Sequence, residues 1–318
     1  VATEDALKTK GRKMRSFLTL ADLGEDEILS LVVSAAKIKA KPGPFSKALS
    51  GKILLMIFEK PSLRTRVSFE AAMKSMGGSA IVVDTQHLPI GKKESVEDTA
   101  KVSSRYVHAI MARLYSHAEL ETMAECATIP VINGLTDDHH PVQILCDLLT
   151  IKEKKGRLAG LKLCFLGDGN NNVTHSLIEG CSRVGINIAV GCPKGMKPNP
   201  VIVANALKIA RSEVLVIDDP KKAIRDADIV YTDTWMSYQT PEAYRSERIK
   251  QLSPYQVNAG MVKHARKDYI FMNCLPAMRG LEQTADIIDG QNSVVFDQAE
   301  NRLHMQKALL LWLLGGKE

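Results

Sequence analysis

Ser62-Leu63-Arg64-Thr65-Arg66 stands between a short apolar run, Gly51-Lys52-Ile53-Leu54-Leu55-Met56-Ile57-Phe58, and a segment in which Val67, Ala71, Met73 and Met76 recur at roughly helical spacing. The run has strand length and the segment has helical period, so Pro61 and Ser62 mark a turn into a helix. The first turn of a helix has unpaired N–H groups and the positive end of the macrodipole, and here it adds two guanidinium forks and two hydroxyls. A phosphate dianion fits such a place. Taken alone, the same five residues also suit a solvated Arg pair on an exposed helix start.

Outward from this point the apolar pattern alternates. An amphipathic helix is expected over 19–40, then strands at 52–58, 79–84, 108–113 and 130–133 with helices at 66–76, 95–105, 116–127 and 141–155. Lys152-Glu153-Lys154-Lys155-Gly156-Arg157 interrupts the pattern, and a second series follows with strands at 161–166, 187–191, 213–216, 229–232, 269–273 and 293–296. Alternation of this kind predicts an α/β fold of two domains, each a parallel sheet flanked by helices. A chain of 318 residues is long for one core, and the break places the domains at 1–148 and 149–298.

Composition narrows the function classes. The net charge of +6 suits small anionic substrates, but the basic residues are dispersed and only 5% of residues are aromatic, so no nucleic-acid groove is expected. The longest apolar stretch, Ala308 to Leu314, is too short to span a bilayer and reads as a docking helix, so no membrane association is expected. The six cysteines include no C-x-x-C pair and no metal-ligand spacing with histidine, so neither a metal nor a cofactor is expected. A cytoplasmic location is the expectation. A removed organellar leader would leave no trace in a chain that begins at Val1.

Gly167-Asp168-Gly169-Asn170-Asn171-Asn172 follows a strand and opens a helix, which invites a dinucleotide oxidoreductase reading. The third glycine is missing and no acidic residue ends the next strand, so the fingerprint fails. The loop is still where an open α/β sheet places a ligand.

Three further motifs follow in order: Met111-Ala112-Arg113-Leu114-Tyr115-Ser116-His117, His140-Pro141-Val142-Gln143, and Asn273-Cys274-Leu275-Pro276-Ala277. Proline at a first helical position makes His140-Pro141 a helix start. By itself that suits a surface histidine as well as a functional one; His139 reads as structural or exposed. With these motifs in sequence, the chain resembles the aspartate and ornithine carbamoyltransferase family from about Arg15 to Leu314.

The resemblance implies transfer of a carbamoyl group from carbamoyl phosphate to an amine, in the leading case the δ-amino group of L-ornithine, giving citrulline and phosphate. It assigns Ser62, Leu63, Arg64, Thr65, Arg66, Arg113, His140, Gln143, Cys274, Leu275 and Arg302 to carbamoyl phosphate, in a domain at 1–148. His140 and Arg113 would sit near the carbonyl oxygen and Gln143 near the carbamoyl amide. Asn172, Asp233, Ser237 and Tyr238 fall to ornithine, in a domain at 149–298, and Arg113, His140, Asp233 and Cys274 to catalysis. A final helix at 299–318, opened by Glu300-Asn301-Arg302, would return to the first domain. The family implies a homotrimer with sites at subunit boundaries, each reached by a neighbour's 86–93 loop.

The chain departs from the family pattern at three places. Ser237-Tyr238-Gln239 replaces Ser-Met-Gly, Asn273 replaces a histidine before Cys-Leu-Pro, and Pro89 stands where a glutamine or histidine is usual, with Gln86 and His87 nearby. A carbamoyltransferase for another amine such as putrescine, and a silent homologue acting as a binding protein, therefore remain as alternatives. Aspartate fits less well, since its side-chain carboxylate would meet Asp233.

Overall fold

A computed structural model describes residues 15–85, 94–236 and 241–315. The first half holds strands β1 (Ile53–Phe58), β2 (Ser79–Asp84), β3 (Ala109–Arg113) and β4 (Val131–Leu135). Helices α1 (Glu25–Ala40), α2 (Leu63–Ser75), α3 (Val96–Ser103), α4 (His117–Cys126) and α5 (Pro141–Lys155) surround them. The second half holds β5 (Lys162–Leu166), β6 (Asn187–Gly191), β7 (Val214–Ile217), β8 (Ile229–Tyr231) and β9 (Ile270–Met272). Its helices are α6 (Asn172–Val184), α7 (Pro200–Ile209), α8 (Pro220–Ile224), α9 (Arg245–Leu252), α10 (Ala259–Val262) and α11 (Ala285–Ile288), and α12 (Val295–Leu314) follows.

Every strand pair is parallel, in the orders β2-β1-β3-β4 and β7-β6-β5-β8-β9. Parallel strands buried on both faces explain the near-continuous apolar runs of β1, β3 and β5. Each order reverses once, between β1 and β3 and between β5 and β8, and ligands of open α/β sheets bind at the carboxyl ends of strands flanking such a reversal. One apolar core joins the two sheets: Ile132 of β4, Leu145 and Leu149 of α5, Ile178 of α6 and Phe165 of β5 all belong to it. α12 returns across α1, α2 and α5 of the first half.

Two expectations need correction. Residues 293–296 do not form a strand: Ser293 makes a single bridge to Phe271, and α12 begins at Val295 with Gln298 N–H donating to the Val294 carbonyl (2.8 Å). A short apolar run such as Val294-Val295-Phe296 cannot distinguish strand from helix by periodicity. Arg302 therefore lies about two turns into the last helix rather than at its start. Near the amino end, Thr19 caps a separate short turn at Leu20–Asp22, and Gly24 divides it from α1.

Gly134 in β4 shows how tightly the site's scaffold is packed. A Cβ there would lie 2.4 Å from Met111 Sδ and 3.1 Å from the Ala112 carbonyl oxygen, beside the register shift at Ala112 and Arg113. Gly134→Ala is expected to lower unfolding stability by about 1–3 kcal/mol, read from urea denaturation. An unchanged midpoint would mean that Met111 swings clear at no cost.

Candidate active site

The carboxyl ends of β1 and β3 face those of β5 and β8 across a cleft of about 780 Å³. Its lining brings together Ser62, Leu63, Arg64, Arg113, His140 and Arg302 with Asn172, Asp233, Cys274 and Leu275.

The cationic side is built on the start of α2. Ser62 caps the helix, its Oγ accepting from Thr65 N (3.3 Å), and no acidic residue occupies the first turn to offset the helix dipole. Arg64 faces the cleft, and its buried Nε has no hydrogen-bond partner among the described residues. Thr65 is fully buried behind the lining. Its hydroxyl accepts from Ser62 Oγ (3.1 Å) and from Arg302 Nη2 (2.8 Å), which fixes the α12 guanidinium beside α2. Arg66 does not join the cleft lining; its Nε donates to Glu70 (2.9 Å) on the exposed face of the helix.

His140 precedes α5, and its side chain makes no cap hydrogen bond; its backbone N–H donates to Ser176 Oγ (2.9 Å) on α6. The imidazole is buried, and its pKa falls well below the usual histidine value because burial and then the charges of Arg302, Arg113, Arg64 and Lys60 disfavour protonation. His140 is therefore a neutral ring among cations. Gln143 lies behind the cleft wall, donating from Nε2 to Asp147 (2.9 Å). His139 is structural: it is buried, its ring is tilted against that of His117 with centroids 4.6 Å apart, and its Nδ1 lies 3.5 Å from Glu179.

The opposite wall has the other polarity. Asp233 follows β8 and Cys274 follows β9, and the thiol donates to the carboxylate (3.2 Å). Burial, then the neighbouring carboxylate, raises the Cys274 pKa well above the usual thiol value, so the sulfur stays protonated. Burial also raises the pKa of Asp233. Asn172 opens α6 and donates from Nδ2 to the Thr136 carbonyl (2.7 Å), tying the two halves at the cleft floor. Ser237 and Tyr238 lie outside the described residues, as do Gln86, His87 and Pro89.

Asn273 is absorbed by the scaffold. Fully buried, it donates to Gln283 Oε1 (3.2 Å), and its Oδ1 accepts from Leu275 N (2.8 Å). That bond holds Leu275 at φ 57°, a strained backbone for a branched side chain and of a kind that clusters at binding sites.

The cleft also contains residues that the sequence motifs do not single out. Lys60 is buried, paired with Asp137 and set over the Tyr115 ring, 4.5 Å from its centroid. Burial lowers its pKa, which Asp137 partly opposes. Its place just past the end of β1 is a signal that could have found it. Arg248 of α9 pairs with Asp168 and donates to the Trp235 carbonyl, anchoring the chain just after Asp233. Nothing local to Arg248 marks that role.

The glycine loop after β5 makes no dinucleotide cradle. A Cβ on Gly169 would lie 2.7 Å from the Met196 carbonyl oxygen and 2.9 Å from Pro198 Cδ, so the chain's own 193–198 segment takes the place a pyrophosphate needs. Among the described residues no helix is long and apolar enough to cross a membrane.

Residues 15–153 match the family profile described as aspartate/ornithine carbamoyltransferase, carbamoyl-P binding domain, and residues 159–313 match the profile of the Asp/Orn binding domain. The ornithine carbamoyltransferase of Anoxybacillus flavithermus is 50% identical over 307 residues, covering 95% of this chain and 97% of its own. That of Bacillus subtilis is 50% identical over 307 residues, covering 94% of each. Among solved structures, the ornithine carbamoyltransferase from Pyrococcus furiosus superposes with a TM-score of 0.91 at 48% identity, covering 96% of this chain and 98% of its own. The chain belongs to the aspartate/ornithine carbamoyltransferase family.

Proposed function

We propose that this cleft transfers the carbamoyl group of carbamoyl phosphate to the δ-amino group of L-ornithine, giving citrulline and phosphate. One observation carries the chemistry: a cationic wall of Arg64, Arg113 and Arg302 on the first half faces Asp233 and Cys274 on the second, with the neutral His140 among the cations. Curated relatives named ornithine carbamoyltransferase over nearly the full chain support ornithine as the amine.

In this mechanism the start of α2, Arg64 and Arg302 hold the phosphate, by charge-assisted hydrogen bonds and the helix dipole. Arg113 and His140 polarise the carbonyl and stabilise the charge that grows on its oxygen. Asp233, hydrogen-bonded by the Cys274 thiol, positions the amine, and Asn172 with Ser237 and Tyr238 meets the α-carboxylate and α-amino groups. Nitrogen attacks the carbonyl carbon, the bond between that carbon and the bridging phosphate oxygen breaks, and phosphate leaves with that oxygen as one proton is lost from nitrogen. Residues 1–148 with the returning helix serve carbamoyl phosphate, and residues 149–298 serve ornithine.

The purified protein should form citrulline from both substrates, with ornithine preferred over putrescine and aspartate at fixed carbamoyl phosphate. Faster turnover of putrescine would overturn the choice of amine, and no turnover of any amine would favour a silent homologue.

A homotrimer belongs to the same reading. Leu63 (76% exposed) and Val67 (55%) leave apolar side chains of α2 in solvent, which supports a subunit contact there. Light scattering should give three chains per particle, and a monomer would refute it. Six free thiols, Cys126, Cys146, Cys164, Cys181, Cys192 and Cys274, support a reducing, cytoplasmic compartment.

A further inference from the structure

The carboxylate of Asp147 lies outside the cleft lining, yet hydrogen-bond donors reach it from three elements. Oδ1 accepts from Gln143 Nε2 (2.9 Å), one turn earlier on α5, and from Gln298 Nε2 (2.8 Å) on α12. Oδ2 accepts from the Tyr231 hydroxyl (2.9 Å) at the end of β8. Gln298 continues the chain of contacts, its Oε1 accepting from Asn273 N (3.0 Å).

Each partner is one step from a group the proposed reaction uses. Gln143 is within a turn of His140, Tyr231 stands two residues before Asp233, and Asn273 immediately precedes Cys274. Asp147, Gln298 and Asn273 are 0% exposed and Gln143 is 1% exposed. A buried carboxylate is costly, and an apolar residue of similar volume would serve better if packing were the only task.

The amide of Gln143 shows what the carboxylate does. An ionised carboxylate only accepts, so it turns the Gln143 NH₂ toward itself and leaves Oε1 on the other side. That oxygen is buried and has no hydrogen-bond partner among the described residues. A buried acceptor in that condition requires a donor, and the primary amide of a carbamoyl group supplies one.

We propose that Asp147 is a positioning residue, holding Gln143 with its oxygen toward the carbamoyl NH₂ and tying that orientation to the strand ends that carry Asp233 and Cys274. The proposal rests on the carbamoyl-transfer reading above.

Calorimetry on the full chain with two probes tests it: phosphonoacetamide, which carries a primary amide and a phosphonate, and inorganic phosphate, which carries the anion alone. Asp147→Leu removes the acceptor and should weaken phosphonoacetamide about tenfold while phosphate changes less than about twofold. Asp147→Asn keeps an oxygen that can accept from both glutamines and should restore most of the loss. Should Asp147→Leu fail to fold, Gln298→Met removes one tie to Asp147 and should show the same selectivity at about threefold. Equal weakening of both probes, or no change in either, overturns the proposal and leaves the enzyme reading standing. A wild-type chain that binds neither probe overturns both.

Discussion

Arg64→Ala is expected to cut kcat/KM for carbamoyl phosphate by about 10²–10³-fold and to abolish measurable binding of carbamoyl phosphate in calorimetry. The guanidinium lines the cleft at the first turn of α2, where the helix dipole already favours an anion. Two charge-assisted bonds to phosphate, each about 1.5–3 kcal/mol, account for a loss of that size. Arg66 cannot compensate, because Glu70 holds it on the outer face of the helix. The folded chain should lose little, since Arg64 Nε has no protein partner among the described residues and its charge sits near that of Arg302. Thermal unfolding and phosphate affinity therefore separate: the midpoint holds while affinity collapses. Unchanged affinity would identify a silent homologue.

Asp233→Asn is expected to lower kcat/KM for ornithine by about 10²-fold while carbamoyl phosphate binding is retained. The substitution keeps the shape of the side chain and removes the charge facing the amine. The sign of the pH dependence follows from three groups. The δ-amine, with a solution pKa near the lysine value of roughly 10.4, must lose a proton to attack, so the rate rises with pH. Asp233 is ionised only above a pKa that burial has raised, which acts in the same direction. His140 is held neutral because its pKa lies well below the usual value, so it adds no limb near neutrality. Steady-state rates across pH 6–9 check this, and an inflection between pH 6 and 7 that disappears in His140→Gln would contradict it.

Much of the site was legible because its parts are local. An apolar run, a proline and a serine cap announce β1 and α2, and Pro141 announces α5; the structure starts these helices at Leu63 and Pro141. The motif and the family resemblance place Arg66 in the cradle beside Arg64, but two helical positions turn a side chain by about 200°, and the structure sends Arg66 to Glu70 instead. Gln143 shares a helix face with His140, but the sequence does not show that its amide nitrogen is held by Asp147. Lys60 reaches the cleft through Asp137, and Arg248 through Asp168 and Trp235; both roles depend on partners distant in sequence.

The sequence by itself determined the kinds of element, the capped helix start at Ser62 and the family, because period, caps and turn residues act within about ten positions. Only the tertiary structure decided the strand orders, and with them which strand ends share a cleft. Parallel pairing and packing of α12 across the first sheet join residues far apart in the chain, as Tyr231 and Asp147 are, and no local preference encodes such a meeting.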